Sequence, residues 1–256
     1  GALVQLSKAA TMIGKVCMVI LHGSGSCGQD IAGYLDSVPI PEYRFETFRD
    51  AASALSMDII TPSAASRRYT PFGGERCNVW YDRSADFMRS GLSDVEDFDG
   101  ADQSLEKVLS KIQQIESKYD HVFIGGFSMG GGLALHTLRK HYPEKLRGIF
   151  TMGSFLVQES AVVTGPLGRS AQVPILMMHG ESDSMIRCEW GRQTASNLLL
   201  RDLNVQFRTY KNVDHEMDTS ELADLLDWVK DTLLLHLEQT AAASNSDGKD
   251  SSFSIS

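Results

Sequence analysis

Six short apolar runs punctuate this chain: Val16 to Leu21, Met57 to Thr61, His121 to Gly125, Leu146 to Met152, Pro174 to His179 and Val205 to Tyr210. Each reads as a strand buried on both faces rather than an alternating one. Between them the apolar positions change period. Over 220–236, Leu222, Leu225, Leu226, Val229 and Leu233 recur at three- and four-residue spacing, one face of a helix. Residues 101–117 and 189–202 behave alike, and a further helix opens at Ser128 and runs to about His141, because Pro143 disfavours helical geometry just before it. Strands alternating with helices predict an α/β fold with a mostly parallel central sheet and helices on both faces. One such domain is expected over 1–238.

Two stretches fall outside the pattern. Residues 62–83, "PSAASRRYTPFGGERCNVWYDR", are too long for a plain connection and should carry function or a short hidden element. Residues 239–256 are small and polar and read as a disordered tail.

Composition narrows the function classes. The 256 residues are 42% hydrophobic and 22% charged, as in a packed soluble protein. A formal charge of -9, from 24 Lys and Arg against 33 Asp and Glu, argues against a nucleic-acid partner. The acidic cluster of Asp94, Glu96, Asp97 and Asp99 reads as a solvated loop without EF-hand spacing. Cys17, Cys27, Cys77 and Cys188 form no C-x-x-C pair and show no metal-ligand spacing, so free thiols in a reducing compartment are expected. No apolar run reaches the length of a membrane span.

The chemistry concentrates at "IGGFSMGGGLAL", residues 124–135. Gly126-Phe127-Ser128-Met129-Gly130 matches G-x-S-x-G, a strained strand-to-helix turn that exposes a nucleophilic serine at the C-terminal edge of a sheet. Glycine-rich turns containing serine are common, but a preceding strand and a following helix supply the required context. A serine nucleophile needs a base and the base needs an orienter, in the order Ser, Asp or Glu, His. His215, in the loop "KNVDHEM" after the last strand, suits the base; His236 lies within the terminal helix. Asp183, in "HGESDSM" just past a strand, suits the orienter, with Glu181 as its competitor, whereas Asp214 adjoins His215 too closely to turn back to it. The oxyanion hole should combine the Met129 N–H with one from the loop after the first strand, "HGSG" at 22–25. That loop lacks both G-x-G-x-x-G and a Walker lysine, which argues against a nucleotide site.

In order along the chain, "LHGSGSCGQD", "NVWYDR", "IGGFSMGGGLALH", "MMHGESDSMI" and "NVDHEM" resemble the motifs of the acyl-protein thioesterase and lysophospholipase-like carboxylesterase family. "YTPFGGERCNVWYDR" is similar especially to its lysophospholipase-like branch. The resemblance implies a cytoplasmic, cofactor-free α/β-hydrolase, a monomer or weak homodimer. It would cleave an acylated protein or small acyl ester through an acyl-enzyme, with transient contact to membrane-attached substrates. Lysophospholipase action, or ligand reception with little turnover, are the alternatives. It assigns Ser128, Asp183 and His215 to catalysis, Ser24 and Met129 to the oxyanion hole by their backbone N–H groups, and Trp80 to the acyl-binding region. Two departures bear on acyl preference: Met129 stands where thioesterases usually carry Gln, and the chain is longer around 37–50.

Overall fold

The computed structural model describes residues 13–141 and 144–247, with side chains described to 242. The apolar runs become strands β1 (Val16–Leu21), β2 (Met57–Ile60), β5 (His121–Phe127), β6 (Leu146–Met152), β7 (Ile175–Gly180) and β8 (Val205–Tyr210). They form one sheet in the order β2-β1-β5-β6-β7-β8. Every neighbouring pair is parallel, with Val16 opposite both Met57 and His121, and Ile175 opposite Val205.

Side chains alternate across the strands, and this divides the core. Cys17, Val19, Leu21, Ile124, Ile149 and Met177 face one way, onto helices α4 (Phe98–Ile115), α5 (Met129–Leu135) and α7 (Cys188–Leu199). Val16, Met18, Ile20, Phe123, Phe150 and Met178 face the other way, onto α1 (Gly28–Leu35), α2 (Phe48–Ala54) and α8 (Thr219–Asp247). The α8 stripe of Leu222, Leu225, Leu226, Val229 and Leu233 is fully buried there. Each such side chain contributes about 1.5–3 kcal/mol on leaving water. The expected α/β sheet with both faces covered is therefore the fold.

Several local expectations need correction. The edge strands β2 and β8 are only partly buried, because each has a neighbour on one side alone. The long segment 62–83 hides an antiparallel hairpin, β3 (Ser66–Arg68) with β4 (Arg76–Asn78), and a 3-10 turn at Thr70–Phe72. The elbow helix is α-helical only to Leu135 and tightens into a 3-10 turn at His136–Arg139. Helix α8 continues to Asp247, nine residues past the expected end of the folded part, along an Ala-rich segment with high helix propensity. The rest of that expected tail, 248–256, lies outside the described residues. The acidic stretch is not simply solvated. Asp94 is buried, and the mostly buried Glu96 carboxylate accepts from Ala161 N–H at 2.8 Å and meets His136 Nε2 at 3.2 Å.

The short remaining helices are α3 (Phe87–Ser90) and α6 (Ala161–Thr164). In a parallel sheet all strands end on one edge, so the segments after β1, β5, β6, β7 and β8 converge there.

Candidate active site

Ser128 joins β5 to α5 with φ 52° and ψ -122°, a region that non-glycine residues adopt only when their surroundings impose it. The imposition is visible. Its N–H donates to Met152 C=O at 2.8 Å, and its C=O accepts from Ser154 Oγ at 2.7 Å. A Cβ on Gly126 would lie 2.4 Å from Leu21 O, and one on Gly130 2.2 Å from the same oxygen. Strand β1 thus presses against the bend, and the two glycines of the motif are required by close approach.

His215 stands in the loop after β8, where its Nε2 lies 3.0 Å from Ser128 Oγ and its Nδ1 2.8 Å from Asp183 Oδ2. A carboxylate can only accept, so Nδ1 carries the proton and Nε2 is left to accept from the serine hydroxyl. The Phe127 ring packs against the imidazole at 4.7 Å. On the other side Gly153, at φ 56°, leaves room where a Cβ would stand 3.3 Å from Nδ1.

The Asp183 carboxylate is wholly enclosed. Burial alone would raise its pKa. Donors from His179, His215 and the Ile186 N–H outweigh that and hold it well below the usual carboxylate range. Its Oδ1 accepts from Met185 N–H at 3.0 Å and Ile186 N–H at 2.7 Å. The competitor Glu181 instead accepts from Thr209 Oγ1 at 2.7 Å on the sheet edge. Asp214 has a separate task. Its Oδ1 accepts from the Ser184 N–H and hydroxyl at 2.7 and 2.8 Å and from the His215 N–H at 2.8 Å, tying the two loops together.

The loop after β1 abuts the serine: a Cβ on Gly23 would lie 3.2 Å from Ser128 Cβ. The Ser24 hydroxyl meets Met129 Sδ at 3.7 Å, so the two expected oxyanion residues are neighbours. His22 shapes this loop. Burial lowers its pKa and keeps it neutral. Its Nδ1–H donates to Gly23 C=O at 2.7 Å, while Nε2 accepts from Ala64 N–H at 3.0 Å.

Trp80 stands beside the loop after β1. It is 3% exposed, and its indole N–H donates to His22 C=O at 2.8 Å with the two rings 4.9 Å apart. Its ring thus supports the 22–25 loop, and it also lines a cavity together with Pro62, Ala64 and Val108. The aromatic that is exposed near that loop is Phe72, 51% accessible and 3.6 Å from where a Gly25 Cβ would stand. Nothing in its spacing marked it, because the hairpin that displays it was not legible.

Against this geometry the comparisons are direct. The phospholipase/carboxylesterase family profile matches residues 14–233. The chain belongs to that family. Mouse lysophospholipase-like protein 1 is 30% identical over 213 residues, 83% of this chain and 84% of its own. Acyl-protein thioesterase 1 homolog 1 of Dictyostelium discoideum is 27% identical over 175 residues, 68% of this chain and 76% of its own. The crystal structure of Arabidopsis thaliana SOBER1 superposes with a TM-score of 0.70 at 22% identity, covering 86% of this chain and 99% of that one, a likeness of fold. Among the described residues no helix is long and apolar enough to cross a membrane.

Proposed function

We propose that this family member is a serine hydrolase that cleaves carboxylic esters or thioesters, with S-acylated proteins or small acyl esters as substrates. The observation that carries the reading is the continuous hydrogen-bonded line from Ser128 Oγ through His215 to Asp183, at 3.0 and 2.8 Å. His215 Nε2 takes the Ser128 proton as Oγ attacks the acyl carbonyl. Asp183, kept ionised, stabilises the imidazolium that forms. The Ser24 and Met129 N–H groups, the latter at a helix N-terminus, receive the oxyanion. The imidazolium then protonates the departing thiolate or alkoxide, leaving an ester on Ser128. In the second half His215 deprotonates water, the water attacks, and the acid leaves as Ser128 regains its proton. The names of the mouse and Dictyostelium relatives support an acyl substrate.

Ser128→Ala should abolish hydrolysis of p-nitrophenyl butyrate and labelling by a fluorophosphonate probe while the far-UV circular dichroism is unchanged. Undiminished turnover by that variant would exclude the assignment. Release of palmitate from an S-palmitoylated peptide, compared with short p-nitrophenyl esters, then ranks thioester against ester.

A further inference from the structure

His179 is the penultimate residue of β7, four residues before Asp183, and is almost fully buried. Its Nε2 lies 2.8 Å from Ile186 C=O and 3.3 Å from Asp183 Oδ2. Both are acceptors, so Nε2 carries the hydrogen and shares it between them. The other ring nitrogen, Nδ1, is buried without a partner. Helix α7 faces it with Gly191, where a Cβ would come within 2.4 Å. Asp183 Oδ2 is therefore held by two imidazoles, His179 at 3.3 Å and His215 at 2.8 Å. Asp214 and Glu221 also lie within electrostatic reach of this carboxylate.

We infer that His179 is a positioning residue for the catalytic acid: its Nε2–H aims Asp183 Oδ2 at His215 and pins the 183–186 turn through Ile186 C=O. The geometry leaves few alternatives. Two backbone N–H groups of the same turn hold the Asp183 carboxylate through Oδ1, and His179 Nε2–H adds a donor on Oδ2, the oxygen that meets His215. Among the described residues, the side chains hydrogen-bonded or ion-paired to Oδ2 are His179 and His215. His215 gains and loses a proton through the catalytic cycle, whereas His179 is a buried donor outside it. The contact also divides the charge on Oδ2 between two donors and tempers its pull on the base.

This inference rests on the hydrolase reading, and two substitutions separate the two. His179→Leu keeps approximate volume but removes the donor; His179→Gln keeps an N–H at similar reach. On p-nitrophenyl butyrate, His179→Leu should lower kcat about ten-fold with KM little changed, the order expected from losing one hydrogen bond to a charged group. His179→Gln should restore kcat to near wild type. A His179→Leu enzyme with wild-type kcat overturns the inference, as does a folded His179→Gln that is as impaired as His179→Leu. Should His179→Leu not fold, His179→Gln decides alone, a ten-fold loss in the folded enzyme counting against it. If wild type is inactive, or Ser128→Ala is as active as wild type, the hydrolase reading itself has failed.

Discussion

At the scale of single residues, the five glycines around Ser128 separate by what each would strike. From the motif alone, Gly126 and Gly130 are the required pair and Gly125, Gly131 and Gly132 the tolerant ones. Packing redraws that division. A Cβ on Gly125 would lie 2.4 Å from Phe150 O, and one on Gly131 2.1 Å from Ser154 Oγ, the hydroxyl that braces the Ser128 carbonyl. Only Gly132 faces a lone movable obstacle, the Tyr81 hydroxyl at 2.6 Å. Gly130→Ala should therefore lose about 2 kcal/mol or more by overpacking, about 5 °C or more in melting temperature for a chain of this size, with activity falling alongside. Gly132→Ala should stay near wild type, since the helix gains up to about 1 kcal/mol of propensity. Thermal melts of the two variants check the ranking, and an unaffected Gly130→Ala would remove the steric account of the elbow.

Elements show where the sequence was legible and where it was not. The strands and the α8 stripe could be read because burial repeats with their period, and Ser128, Asp183 and His215 because each follows a readable strand on one edge of the sheet. Phe72 resisted for the opposite reason, because it lies in a hairpin whose two polar strands, three residues each, carry no periodic signal. Glu221 was invisible for another reason: as the third residue of a helix it looks like an ordinary surface cap. Its Oε2 accepts from Asp218 N–H at 3.1 Å while Asp218 Oδ1 accepts from Ser220 N–H at 2.8 Å, a reciprocal cap on α8. Yet it is wholly buried, with Oε1 unpartnered, beneath the loop that carries His215. Burial first, then the charges of Asp218, Asp183 and Glu216, push its pKa from 4.5 to about 8. The unfolded carboxyl ionises near 4.5 and the folded one only near 8, so stability declines as pH rises through that window. Glu221→Gln keeps the cap without the charge. Its stability should match wild type below pH 4.5 and exceed it increasingly up to about pH 8, by an amount of the order of a few kcal/mol. Denaturant unfolding at pH 4.5 and pH 8 tests this; a pH-independent difference would contradict it.

For the whole molecule the decisive quantity is charge. Its formal value is -9, and part of this is concentrated in the base loop, where the exposed Asp214 and Glu216 and the half-buried Asp218 share the segment with Lys211. Asp183 adds a buried negative charge directly behind His215. A substrate approaching Ser128 thus meets a negative potential that a neutral acyl ester does not feel and an anionic one does. Salt screens that potential, with a Debye length of roughly 30 Å at 0.01 M and 8 Å at 0.15 M. For the anionic p-nitrophenyl hemisuccinate, kcat/KM should therefore rise several-fold between these two salt concentrations, whereas for neutral p-nitrophenyl butyrate it should stay flat. The change should appear in KM and leave kcat alone, because screening acts on encounter and not on the enclosed Ser128–His215–Asp183 line. Replacing Asp214 would confuse the test, since it also ties two loops together, so Glu216→Gln is the appropriate control and should remove part of the salt response. Equal salt dependence for both esters would show that the field at the site is set by residues other than this acidic rim.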